Sequence, residues 1–243
     1  MIEVYGMSSP NVVKVTVFLE ETGLAYRLHY INVFAGDQYA PEFLAISPNN
    51  KVPVIVDENG PGGGPLALCE SGAILLYLAE KTGQLLPPAG AARAAVLQWL
   101  MVQLTSVGPM FGQLVHFTRY APTGNDYSLE RYTSEARRIL GVLESRLAAV
   151  PWLGGDAYSV ADVATWPWVR TARSIFPWLA GGAGASLREW PALARWFEVI
   201  AARPAVQRGV ASGERFLDRD RNAFGAADAA AFDRFFNRGQ YAR

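Results

Sequence analysis

An α/β module followed by an all-helical region is the fold class that this sequence predicts. Three observations carry it. Short β-branched runs alternate with helical periodicity as far as residue 84, strand signals nearly vanish after residue 90, and Leu85-Leu-Pro-Pro-Ala-Gly90 between them reads as a linker. The expected division is an N-terminal domain over 1–84, a linker over 85–90, and an all-helical domain over 91–243 that ends in a tail.

Ile2-Glu-Val-Tyr5 is a short strand, and Ser9-Pro10 reads as an N-cap followed by proline at the first helical position. Val13, Val15, Val17, Phe18 and Leu19 give that helix its apolar surface, and Gly23 ends it. Tyr26 to Val33 alternates loosely as a second strand, so strand, helix and strand make a βαβ unit. Pro41 to Ile46 is a short helix. Val54-Ile-Val56 and Leu66 to Cys69 then form a hairpin across a loop, Asp57 to Pro65, that holds four glycines and two prolines. Ser71 is a candidate N-cap for a helix that Gly83 closes. The order βαβαββα resembles the thioredoxin fold.

Beyond the linker, Ala91 to Phe117 has the pattern of a long helix, with a bend expected near Gly108-Pro109. Ser128 to Ala149 is another. Ser159-Val-Ala-Asp162 is a capping-box variant that opens a helix containing Trp166, Pro167 and Trp168, and Pro191 to Ala202 forms one stopped before Pro204. The tail after Glu214 mixes charge with Phe216, Phe224, Phe232, Phe235 and Phe236, so it is expected to pack, with its place left open.

Composition narrows the function. Of 243 residues 51% are hydrophobic, which permits a sizeable core. Lys+Arg and Asp+Glu balance at 22 each, arguing against a nucleic-acid or anionic-membrane partner. One cysteine leaves no intrachain disulfide and no thiolate cluster, and two histidines far apart, His29 and His116, make a metal site improbable. The N-terminus reads as a strand rather than a signal peptide, and the longest apolar run, Ala73 to Ala79, is too short to span a bilayer. A soluble cytoplasmic protein is the expectation.

Two features between residues 49 and 83 go beyond architecture. Pro53 stands at a strand entrance, as an edge-strand proline or as a cis proline. Glu70-Ser71 puts a carboxylate and a hydroxyl at a helix N-terminus, as a cap or as an anion site.

Lys51-Val-Pro53, Glu70-Ser-Gly-Ala-Ile74 and Tyr158-Ser-Val-Ala-Asp162, in that order, resemble the glutathione S-transferase family over nearly the whole chain. Ser9-Pro-Asn11, Pro41-Glu-Phe-Leu44, Ile46-Ser-Pro-Asn-Asn-Lys51 and Trp152-Leu-Gly-Gly155 look more narrowly like its bacterial nu class, whose members are associated with glutathione-dependent disulfide reduction. The resemblance implies glutathione, reduced or as its disulfide, as cosubstrate, no metal, a homodimer, and a small thiol, disulfide or electrophile as partner. It implies that the Val52 backbone, presented by a cis Pro53, pairs with the cysteinyl segment as an added strand. Glu70 would meet the γ-glutamyl ammonium and Ser71 the adjacent carboxylate. Gln38 matches a position at the glycyl end, Arg131 an arginine that reaches the ligand, and Lys51 a weaker carboxylate contact. Without the resemblance, Gln38, Lys51 and Arg131 read equally well as solvated side chains.

The chemical task is to hold a thiolate. Lowering a thiol pKa from about 8.5 to roughly 6.5 requires about 2.7 kcal/mol, which a helix N-terminus and one or two hydrogen bonds to a charged sulfur can supply. Asn11 is the first candidate donor, Ser9 the second and Ser8 the third. Ser9 is equally well explained as the N-cap alone. Tyr5 reads as core. Cys69 has no C-x-x-C partner and reads as a small hydrophobe, so disulfide chemistry must use glutathione sulfurs. Conjugation to an electrophile, thiolytic ether cleavage and a non-catalytic glutathione-binding module are the alternatives.

Overall fold

A computed structural model describes residues 1–176, 178–179 and 187–241. Strand β1 (Ile2–Gly6) runs parallel to β2 (Tyr26–Tyr30) and antiparallel to β3 (Val54–Asp57), which pairs antiparallel with β4 (Leu66–Cys69). The sheet order is β2-β1-β3-β4. Between β1 and β2 lies α1 (Pro10–Thr22), between β2 and β3 the short α2 (Pro41–Leu44), and after β4 comes α3 (Ser71–Thr82). The expected βαβαββα order is the observed one.

The local signals work as read, with one correction. Ser9 caps α1, its Oγ accepting the Val12 N–H at 3.3 Å, and Gly23 closes it in the left-handed region at φ 71°. Ser71, expected as a cap, is instead the first residue of α3, and Glu70 before it takes φ 68°. This left-handed conformation, uncommon outside glycine, falls at the single residue between β4 and α3.

The rest of the chain supplies α4 (Gly90–Val102), α5 (Gly108–Arg119), α6 (Asp126–Ala149), α7 (Val160–Ile175), α8 (Pro191–Ala201), α9 (Pro204–Gly213), α10 (Leu217–Gly225) and α11 (Ala229–Phe236). Two compact units emerge, 1–77 together with 204–243, and 78–203. The tail thus packs with the sheet-bearing unit.

Within the first unit, every α1 residue from Val12 to Leu19 is buried, so this helix is covered on all sides. Helix α9 lies against it so closely that a Cβ on Gly209 would stand 2.5 Å from Val17 Cα and 2.8 Å from Val17 N. The Thr16 hydroxyl donates to the Gly209 carbonyl at 2.7 Å. Gly209→Ala is therefore expected to force the helices apart and lower stability by about 2 kcal/mol, measured by urea unfolding. An unchanged midpoint would refute the close approach.

In the second unit, α4 and α5 are joined by a π-helical turn, Gln103–Val107, rather than by the sharp bend expected at Gly108-Pro109. The wider turn comes just before Pro109, which then sits in the first turn of α5, where its missing N–H is tolerated. Residues 90–119 are long and apolar enough to cross a membrane by length and composition, unlike the short run noticed in the sequence. Asp162, fully buried, closes the expected capping box with Ser159 at the start of α7 and also accepts from Leu153 N–H at 2.9 Å and Trp196 Nε1 at 2.8 Å.

Candidate functional site

Strand register brings three chain segments to one end of the sheet. Tyr5 and Cys69 both pair with Val54, so the loop after β1, the Val52-Pro53 step before β3 and the Glu70-Ser71 step after β4 leave the sheet at the same edge. The Val52–Pro53 peptide is cis. Pro53 stands just outside the ladder, where its missing donor leaves no bond unmade. The half-buried Val52 thereby stands beside the sheet end.

The opposite wall is the start of α3. Asn49 Nδ2 donates to Glu70 Oε1 at 3.3 Å, holding an exposed carboxylate in place. Ser71 is buried in the first turn of α3, among free N–H groups at the positive end of the helix dipole. Beneath it lies a group that the sequence reading missed. Lys14 of α1 is 1% exposed and its Nζ donates to Ser71 Oγ at 3.1 Å. Burial pulls the ammonium from the usual 10.5 down to about 7, and the Glu70 carboxylate opposes that shift. The signal was present in Pro10-Asn-Val-Val-Lys-Val-Thr-Val-Phe18, where one charge interrupts an otherwise apolar helix.

The third wall is the loop into α1. Ser9, Asn11 and Ser8 are all partly exposed, and Ser9 is the cap already described. Ser8 donates its N–H to Asp220 Oδ2 at 2.7 Å, while its buried Oγ meets no partner among the described residues. Tyr5 does not join this wall; it stacks on His29 at 4.8 Å. Cys69 is half-buried against an apolar cluster, as expected of a small hydrophobe.

Gln38 is not a solvated side chain. It is 3% exposed, with Nε2 donating to the Val33 and Arg234 carbonyls at 3.0 and 3.3 Å. Lys51 is exposed. Arg131 lies on α6 in the other unit, with an exposed side chain and Nη1 3.7 Å from Glu135 Oε2. Among the described residues no group of three or more His, Cys, Asp or Glu could hold a metal ion.

A cis proline at the end of a β2-β1-β3-β4 sheet, with the N-terminus of a helix beside it, defines a thioredoxin-like domain. Family models for the glutathione S-transferase N-terminal and C-terminal domains match residues 8–81 and 126–198. The chain belongs to the glutathione S-transferase family. It is 50% identical over 208 residues to the disulfide-bond oxidoreductase YfcG of Escherichia coli, covering 84% of this chain and 92% of the relative. A glutathione transferase family member from Pseudomonas fluorescens, crystallised with two glutathione bound, is 46% identical at a TM-score of 0.79, covering 86% of this chain and 92% of that one. A glutathione transferase from Pseudomonas putida, with one glutathione disulfide bound per subunit, is 43% identical at a TM-score of 0.80, covering 86% and 90%.

Proposed function

We propose that this protein is a glutathione-dependent disulfide reductase of nu-class type, cytoplasmic and homodimeric. The observation that carries the reading is the convergence of the cis Val52–Pro53 edge, Glu70-Ser71 over Lys14, and the Ser8-to-Asn11 loop at one sheet end. The names of the Escherichia coli relative and of the glutathione-bound neighbours support it.

In this reading the Val52 backbone pairs with the cysteinyl segment, Glu70 holds the γ-glutamyl ammonium, and Ser71 with the α3 N-terminus takes the adjacent carboxylate. Gln38 serves the glycyl end, and Lys51 makes a weaker carboxylate contact. Asn11, with Ser9, donates to the sulfur and keeps it as thiolate at neutral pH. That thiolate attacks one sulfur of a disulfide, forming a mixed disulfide and expelling the other sulfur, which takes up a proton. A second glutathione thiolate attacks the glutathionyl sulfur, giving glutathione disulfide and the second thiol. Two glutathiones thus supply both electrons, as a chain with a single cysteine requires.

Asn11→Ala tests the assignment. Loss of a hydrogen bond to a charged sulfur, about 1.5–3 kcal/mol, corresponds to roughly a ten- to hundredfold fall in kcat/KM with hydroxyethyl disulfide. Full activity in the variant would remove Asn11 from the mechanism. Background turnover by the wild type would overturn the reductase reading, and fast turnover of chlorodinitrobenzene alone would replace it by conjugation.

A further inference from the structure

The last two helices cover the segments from which the glutathione site is built. Asp220 of α10, 8% exposed, accepts the Ser8 N–H at 2.7 Å and the Tyr30 hydroxyl at 2.9 Å. Burial and that carboxylate together push the Tyr30 hydroxyl well above its usual pKa, so it stays a donor at physiological pH. The Arg219 guanidinium lies over the same ring at 4.0 Å. A carboxylate is thus seated on the loop that leads into α1, where the helix dipole favours negative charge.

The end of α11 grips the other side. The Arg234 carbonyl accepts from Gln38 Nε2 at 3.3 Å and from the Tyr39 hydroxyl at 2.9 Å, while Arg234 Nε donates to the Phe34 carbonyl at 2.9 Å. Asn237, held in the left-handed region at φ 53°, accepts from Asn50 Nδ2 at 2.9 Å and from Tyr39 at 2.7 Å. Between these grips, Ala231, Phe232 and Phe235 join the apolar cluster that takes in Phe34, Val52 and Met7, and Phe235 stacks on Phe34 at 4.8 Å. Gln38 therefore has both donor hydrogens directed at main-chain carbonyls, and its Oε1 meets no partner among the described residues. A glycyl carboxylate could gain a Gln38 amide hydrogen only by displacing one of these carbonyls, and the longer of the two bonds is the one to Arg234.

We propose that α10 and α11 form an autoinhibitory strap that competes with glutathione for the Ser8, Gln38 and Val52 region and lifts when glutathione binds. The inference rests on the glutathione-site reading above. It implies a binding-competent fraction well below one, and an apparent affinity reduced by that same fraction. Any condition that loosens the strap, such as loss of the Asp220 latch, then raises glutathione affinity without altering the site itself.

Full-length protein carrying Phe232→Ser and Asp220→Asn is compared with wild type by calorimetric titration of glutathione. The released variant is expected to bind at least about tenfold more tightly. In wild type, glutathione is expected to speed trypsin cleavage after Arg219, Arg221 and Arg234, a measurement that requires no variant to fold. Equal affinities would overturn the strap, as would glutathione protecting those arginines, which would make the segment a wall of the site. If neither protein binds glutathione, the glutathione-site reading falls and the strap falls with it. If wild type binds and the variant binds no better, the strap alone is lost.

Discussion

Replacing Asp162 by alanine is expected to lower the unfolding free energy by about 4 kcal/mol, a large part of the margin that keeps a domain folded. Its carboxylate accepts four hydrogen bonds: the Leu153 N–H at 2.9 Å, the Ser159 N–H and hydroxyl at 3.0 Å each, and Trp196 Nε1 at 2.8 Å. Trp196 is itself fully buried, so its donor would have no water to turn to. Each buried donor left without an acceptor costs about 1–3 kcal/mol, and the cavity adds to the loss. Asp162→Asn is expected to fall between wild type and alanine, because one oxygen is kept while an amide N–H₂ is set against the Ser159 donors. Urea unfolding followed by tryptophan fluorescence measures both. A loss below about 1 kcal/mol for alanine would show that the four bonds are not the anchor of α7.

That network shows why the fold was legible. Ser159 and Asp162 stand three apart before an apolar run, so local sequence alone announced the cap; the bonds to Leu153 and Trp196 come from farther away and had no local sign. Ser9-Pro10, Gly23 and Gly83 announced helix ends for the same reason. The π turn at Gln103–Val107 was read as a bend, because proline forbids a regular hydrogen bond without saying how the helix accommodates it. At the site, the residues proposed to touch the ligand directly were found through motifs. Lys14 was missed because it acts from below, through Ser71, and helical periodicity counts a lone lysine as an imperfection in an apolar face. Asp220, Arg234 and Asn237 were missed because what they do depends on contacts with residues nearly two hundred or more positions away.

Lys14→Met is expected to flatten the pH dependence of stability above neutrality. In the native protein burial lowers the Lys14 pKa from 10.5 to about 7, with Glu70 opposing the shift; the α9-side cations Arg208 and Arg215 are turned to Glu20 and the Leu28 carbonyl. A lysine with a depressed folded pKa favours the unfolded chain wherever only that chain carries the proton. Stability therefore climbs as pH rises through 7 toward 10.5, by roughly 2 kcal/mol between pH 7 and pH 9 from this group alone. Urea unfolding at the two pH values should show that difference in wild type and lose it in Lys14→Met, which fills the same space without a charge to desolvate. An identical climb in both proteins would mean that Lys14 is not the group responsible. Ligand binding gives the opposite sign. A γ-glutamyl carboxylate set on Ser71 brings negative charge toward Nζ and raises its pKa. Wild type should accordingly take up a proton when it binds S-methylglutathione at pH 8, a ligand whose sulfur cannot ionise. Calorimetric titration in buffers of different ionisation enthalpy counts that proton. It should disappear in Lys14→Met together with part of the affinity, whereas a lysine that served only to pack the helix would leave the proton count unchanged.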